Sequence, residues 1–322
     1  MTETAIIGAV TIGRNEGARL VACLAALQGK VDHIVYVDSG STDDSIAAAR
    51  AVGAHVVELD TSVPFTAARA RNAGLTDLRA QVVGVTHVQF LDGDCVLQPG
   101  WIETARTFLL NHPQTAVVCG RRRERFPENS LYNRLIDAEW NTAPGQTRAC
   151  GGDALMRIDA LDQVGGYRDD LIAGEEPELC VRLRAAGWQI WRLDAEMVLH
   201  DADITRFGQW WRRAQRGGHA YAEGAALHGR PPERHKVRET RSAVLWGLAL
   251  PVLAVSGALM VSTWGLALAL AYPLQMLRLR GKGMGWSQAL FTVLAKLPEA
   301  QGVLHYWIKR LRGRESTLIE YK

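Results

Sequence analysis

Little in this chain ties it to an oxidising compartment, a nucleic acid or a secretory leader. Its five cysteines, Cys23, Cys95, Cys119, Cys150 and Cys180, show neither the close pairing of a disulfide framework nor metal-ligand spacing, so a reduced, cytoplasmic setting is expected. A formal net charge of +3 over 322 residues is too small to imply a polyanionic partner, which excludes nucleic acid as the expected ligand. Met1-Thr2-Glu3-Thr4 puts no basic region ahead of the first apolar run, so that run reads as a strand and not as a signal peptide. Charge is also missing locally, with none between Ala243 and Leu277.

What is present begins with the acidic triplet Asp92-Gly93-Asp94 at the end of the apolar run His87–Leu91. Asp-Gly is ordinary turn chemistry. Two carboxylates at a strand tip are also a site for a hard divalent cation, Mg2+ or Mn2+, of the kind that bridges diphosphates. Two earlier segments share the design of strand, polar tip and helix. Ala5–Ile12 runs into Gly13-Arg14-Asn15-Glu16, and His33–Val37 runs into Asp38-Ser39-Gly40-Ser41-Thr42-Asp43, before strand character returns at His55–Leu59. Such alternation predicts an α/β fold, a mostly parallel sheet with helices on both faces and ligands at the carboxyl ends of its strands. Thr11, Arg14 and Glu16 then border the same crevice as Asp38 and Asp92.

Thr11–Glu16, Asp38–Asp43, Ala68-Arg69-Ala70-Arg71-Asn72-Ala73-Gly74, Asp92-Gly93-Asp94 and Gly174-Glu175-Glu176-Pro177-Glu178-Leu179 stand in the order found in family 2 glycosyltransferases, which the chain resembles over about its first two thirds. The resemblance implies a GT-A fold and inverting transfer from a nucleoside diphosphate sugar. It also implies a metal held by the aspartate motif and a carboxylate base. Asp92 and Asp94 carry over as metal residues, with His200, which closes the apparent strand Ala195–Leu199, as a further ligand. Asp38 and Arg71 carry over as nucleotide contacts, an acceptor for a base N–H and a guanidinium fork. Thr42 and Asp43 have helix capping as a competing role.

Where the family has Glu-Asp this chain has Glu175-Glu176, so the expected base, Glu176, is one methylene longer. Pro177 suits the first turn of a helix over Glu178–Ala186, which leaves Glu176 near a helix N-terminus. Trp140, Gly152 and Asp153 fall in the family's acceptor region, where a ring face can stack on a sugar and glycine lets backbone approach. Gln209–Arg216 partly resembles an element of processive relatives, and makes Arg213 and Arg216 candidates for the diphosphate.

The expected organisation is a catalytic domain over 1–229, a basic linker over 230–242, a hydrophobic segment over 243–277, and amphipathic interfacial helices with a basic tail over 278–322. One straight helix from Ala243 to Leu277 would reach about 50 Å, against a hydrocarbon core of about 30 Å. Basic residues flank both ends, Arg238 and Arg241 before it and Arg278, Arg280 and Lys282 after it. A hairpin or re-entrant pair with both ends in the cytoplasm is therefore expected, the catalytic domain facing the cytoplasm and membrane lipids being partners. The expected acceptor is lipid-linked or a polysaccharide. Two other function classes stay open. A nucleotidyltransferase of similar fold would need a Gly-rich triphosphate loop, of which Gly13–Gly17 is a poor version. A non-catalytic membrane scaffold is the other, made conceivable by Glu176 and opposed by the intact Asp92 and Asp94.

Overall fold

The structure, a computed structural model, describes residues 5–313; Met1–Thr4, expected to hold no signal peptide, and the end of the basic tail, 314–322, lie outside the described residues. The chain forms two compact units that divide after Asp203. The first alternates strands and helices: β1 (Ile7–Gly13), α1 (Ala18–Leu27), β2 (His33–Asp38), α2 (Ser45–Ala51), β3 (His55–Glu58), α3 (Ala67–Gln81), β4 (His87–Asp92), β5 (Cys95–Leu97), α4 (Trp101–Asn111), β6 (Thr115–Glu124), α5 (Leu131–Trp140), β7 (Gly145–Thr147), β8 (Ala154–Arg157), α6 (Ile158–Val164), α7 (Glu175–Ala185) and β9 (Gln189–His200).

The sheet runs β3-β2-β1-β4-β8-β6-β9-β5, with β7 on β9. Its first four strands are parallel, as the repeated strand–tip–helix design predicts. Beyond β4 it becomes mixed, because β8 lies antiparallel to both β4 and β6, and β5 antiparallel to β9. Val10, Val35, Val37, Val88 and Phe90 are fully buried. Strands covered on both faces need such unbroken apolar runs, since no side of them meets water. The register sets Gly13 beside Asp38 and Ile12 beside Asp92, so the tips of β1, β2 and β4 end level. Strand order reverses between β1 and β4, the place where an open α/β sheet leaves a ligand crevice.

Helix α7 starts at Glu175, earlier than the sequence suggests. Gly174 takes the left-handed conformation just before it, and Pro177 is tolerated because the first turn's N–H groups have no intrahelical acceptor anyway. Both glutamates are therefore inside the first turn.

The second unit contains α8 (Phe207–His228), α9 (Val237–Val244), a π turn (Leu245–Ala249), α10 (Leu250–Met260), a 3-10 stretch (Thr263–Leu270), α11 (Ala271–Gly281), α12 (Trp286–Leu294) and α13 (Lys296–Leu311). Ala222, Ala243, Val303 and Tyr306 form a small core among α8, α9 and α13. Trp210 meets the ring of Phe291 edge-on at 4.9 Å. The uncharged run turns back at Val261-Ser262 and returns along α10. Gly265 makes this close approach possible, since a Cβ there would sit 2.4 Å from the Ala258 nitrogen. At the base of the fold-back the Tyr272 hydroxyl donates to the Trp246 carbonyl at 2.6 Å.

Candidate active site

The tips of β1 and β2 are stitched to each other by their own loops. Asn15, held at a positive φ of 57°, accepts from the Thr42 N–H at 2.7 Å, and its own N–H donates to the Ser41 hydroxyl at 2.9 Å. Asp38 organises the second loop. One of its oxygens accepts from the Gly40 and Ser41 N–H groups at 2.9 and 2.8 Å, and the other accepts from the Tyr36 hydroxyl at 2.9 Å. Of the remaining residues expected at this rim, Thr11 is fully buried on β1. Arg14 is exposed, and Glu16 pairs with Arg19 at 2.9 Å. Asp43 accepts from the Ser45 N–H at 3.0 Å, an Asx turn leading into α2.

Ionisable side chains gather at the tip of β4. Arg71, projecting from α3 and almost fully buried, forks between Asp92 at 2.8 Å and Glu175 at 2.7 Å, so one guanidinium ties the aspartate motif to the start of α7. Gly152 closes over this pair. A Cβ there would lie 2.6 Å from an Arg71 terminal nitrogen and 3.2 Å from an Asp92 oxygen, so no larger residue fits without moving the fork. Asp153, completely buried, accepts from the Asp92 N–H at 3.0 Å and pairs with Arg122 at 2.6 Å. Burial works against ionisation of both aspartates. Arg71, aided by Arg122 and His200, nonetheless holds the Asp92 carboxyl below its usual range, whereas burial prevails at Asp153 and pushes it up.

Asp94 and His200 are brought together by the antiparallel pairing of β5 with β9, which sets Cys95 opposite His200. His200 Nε2 lies 3.2 Å from Asp94 Oδ2, and both residues are buried. Trp140 stacks flat on the His200 ring, centroids 4.8 Å apart and planes 8° from parallel, and the Arg122 guanidinium covers Trp140 at 5.2 Å. The expected acceptor tryptophan is thus fixed on the expected metal histidine.

Among the described residues, Asp94, Cys95 and His200 place three donor atoms within 4.8 Å of one another. Burial raises the Cys95 thiol well above its ordinary value, so it stays protonated and offers little to a hard ion. The carboxylate and imidazole suit Mg2+ or Mn2+, and His200 Nδ1 is buried with no hydrogen-bond partner among the described residues. The residues present fit a divalent cation, with Asp94 and His200 as holders and Asp92 beside them.

Glu176 sits differently from Glu175. It is 2% exposed, and its Oε1 accepts from the Cys150 N–H at 2.7 Å, while Oε2 has no partner among the described residues. It is not a helix cap, since Gly174 holds that position. Arg213 and Arg216 lie on α8 in the second unit. Sequence reasoning passed over Arg122, Cys95 and Tyr167, whose ring lies 5.6 Å from the Arg71 guanidinium. None stands in a recognisable motif, so only the tertiary pairing finds them.

This architecture is that of the GT-A class of nucleotide-sugar transferases. It aligns with the mannosyltransferase PcManGT of Pyrobaculum calidifontis, determined in complex with GDP-Man and Mn2+, over 98% of this chain and 89% of that one. The TM-score is 0.65 at 18% identity, a likeness of fold alone. The chain matches the model of glycosyl transferase family 2 over residues 9–165. It is 25% identical over 199 residues to the succinoglycan biosynthesis protein ExoA of Rhizobium meliloti, aligning 58% of this chain with 60% of that protein. It is 29% identical over 229 residues to a pre-mycofactocin glycosyltransferase of Mycobacterium tuberculosis, aligning 64% of this chain with 45% of that protein. The chain therefore spans less than two thirds of the length of either curated relative.

Proposed function

We propose that this chain transfers a sugar, with inversion, from a nucleoside diphosphate sugar to a lipid-linked or polysaccharide acceptor at the cytoplasmic membrane face. The observation that carries the donor half is the meeting of Asp94 with His200 at the tip of β4, beside the Arg71 fork. A cation held there supplies charge neutralisation for the departing diphosphate. Asp92 and Arg71 border the same position, and Asp38 shapes the loop at the nucleoside end. In the transfer step a bond forms between the acceptor oxygen and the anomeric carbon as the bond to the diphosphate breaks, and the hydroxyl proton passes to a carboxylate. Glu176 Oε2 is the atom assigned to receive it. Oε1 is already held in place by the Cys150 N–H, and the side chain is almost fully buried.

Nucleoside diphosphate binding tests the donor half. Calorimetry with UDP, GDP, dTDP and CMP, each with and without Mn2+, is expected to show one nucleotide whose affinity rises with the metal. Equal affinities with and without Mn2+ for all four would overturn metal-assisted donor binding.

The second unit supports the membrane half. Val237–Met260 is, among the described residues, the one helical segment long and apolar enough to cross a bilayer. Its first turns carry Arg238, Glu239 and Arg241, and Ala243 is packed against protein. At Gly247 a Cβ would lie 1.8 Å from the Lys296 carbonyl, so this level is still inside the helical bundle. The apolar residues at the turn are the barest, with Leu259, Met260, Val261 and Trp264 all more than 80% exposed. From Gly247 to that turn the rise is about 20 Å, short of the roughly 30 Å core. The segment accordingly enters the cytoplasmic leaflet and returns, with Arg238 and Arg241 at one foot and Arg278, Arg280 and Lys282 at the other.

In sealed vesicles of either orientation, Arg238→Cys and Lys282→Cys are expected to react with an impermeant maleimide from the cytoplasmic side only. Trp264→Cys is expected to react from neither side. Reaction of Trp264→Cys from the far side would mean that the hairpin spans. Reaction from the cytoplasmic side would mean that it does not insert.

A further inference from the structure

Two thiols meet at the one carboxylate assigned to proton transfer. Cys150 comes from the segment before β8, and Cys180 from α7, one turn after Glu176 on the same helix face. Glu176 Oε1 lies 2.9 Å from Cys150 Sγ and 2.8 Å from Cys180 Sγ. The ligand atoms of Cys150, Glu176 and Cys180 all fall within 4.8 Å of one another. A thiol is a weak hydrogen-bond donor, and the second Glu176 oxygen is buried without a partner among the described residues, so only the Cys150 N–H is a strong donor to this carboxylate.

Two sulfurs and one oxygen make a donor set opposite in character to that at Asp94 and His200. Carboxylate and imidazole with water select Mg2+ or Mn2+, whereas thiolate sulfur selects Zn2+ and softer ions. Tetrahedral Zn2+, with bonds of about 2.3 Å to sulfur and about 2.0 Å to oxygen, sets adjacent sulfur and oxygen atoms about 3.5 Å apart. The observed sulfur–oxygen separations of 2.9 and 2.8 Å are shorter than that, so small side-chain rotations that move the thiols outward admit the cation. Cys150 is only half-buried, which leaves a route of entry.

We propose that Cys150, Cys180 and Glu176 bind a thiophilic divalent cation of the Zn2+ type, and that its binding withdraws Glu176 from sugar transfer. The second half rests on the reading of Glu176 as base. On binding, each coordinating thiol gives its proton to buffer and the carboxylate exchanges its S–H contacts for the cation. The enzyme then carries two cation sites of opposed preference, one that assists transfer and one that stops it.

The test uses the reduced full-length protein with Mn2+ saturating, and Co2+ as a coloured stand-in for Zn2+. Near-ultraviolet thiolate-to-cobalt absorption is expected to rise to saturation at a single ion per chain and to be displaced by Zn2+. Asp94→Asn should retain the band, while Cys180→Ser and Cys150→Ser should each lose most of it. Should either serine variant fail to fold by circular dichroism, Cys180→Ala takes its place. Zn2+ is expected to suppress sugar transfer in the wild type, with the half-inhibitory concentration raised roughly tenfold or more in Cys180→Ser. Absence of the thiolate band in the reduced wild type would overturn the site. A band without loss of transfer would leave the cation site standing and overturn Glu176 as the base.

Discussion

Asp94→Asn is expected to cut sugar transfer by about three decades while the protein stays folded, the loss corresponding to the several kcal/mol that a positioned cation contributes against diphosphate charge. Asparagine has the size of aspartate and can still hydrogen-bond to His200 Nε2, now 3.2 Å from the carboxylate. It cannot supply the negative charge that holds a hard cation. The same change should remove the Mn2+ dependence of nucleoside diphosphate affinity, which calorimetry reads directly. Arg71 and Asp92 are left in place, so the metal-free component of nucleotide binding should persist. Wild-type Mn2+-dependent affinity in Asp94→Asn would falsify the assignment of the cation to this strand tip.

The parts of this site that could be read from the sequence are those whose physics is local. β1, β2 and β4 announce themselves because parallel strands buried on both faces must be apolar throughout, and each ends in a polar tip. Asp92 and Asp94 are visible for the same reason. His200 is a candidate through its place closing an apparent strand and through the family resemblance. What delivers it to Asp94 is the pairing of the short β5 with the far end of β9, and nothing in the spacing of those segments fixes that register. Arg122 is still less legible, being one of three consecutive arginines on β6, of which it alone covers Trp140 and meets Asp153. The cysteines illustrate the same limit from the other side. Their spacing offers no close pairing, and it gives no sign that Cys150 and Cys180 meet at Glu176.

Asp38 shows how one residue type supports two readings. An aspartate at a strand tip is a natural acceptor for a nucleobase, and Asp-Ser-Gly-Ser is also a loop in which the carboxylate caps its own backbone. Its oxygens are already engaged by Gly40, Ser41 and Tyr36. Its contribution to the donor pocket then includes holding the loop in shape, whichever atoms face the nucleotide.

The adjacent glutamates at the start of α7 separate cleanly by substitution, because the structure gives them different partners. Glu176→Gln keeps the oxygen that accepts from the Cys150 N–H at 2.7 Å, so the pocket should stay formed. What is lost is the ability to take a proton, and transfer is expected to fall by roughly 10²–10⁴-fold with donor affinity nearly unchanged. Glu175→Gln acts elsewhere. It weakens the 2.7 Å ion pair with Arg71, which also holds Asp92, so its effect should fall on donor KM and on Mn2+-dependent nucleotide affinity. Glu176→Asp shortens the reach to the acceptor by one methylene and draws the carboxylate away from the Cys150 N–H. Partial activity is therefore expected, with more retained than in Glu176→Gln. Single-turnover rates measured beside donor affinities check the split. A kcat defect in Glu175→Gln with Glu176→Gln at the wild-type rate would move the proton acceptor one residue earlier, onto the carboxylate that Arg71 now holds.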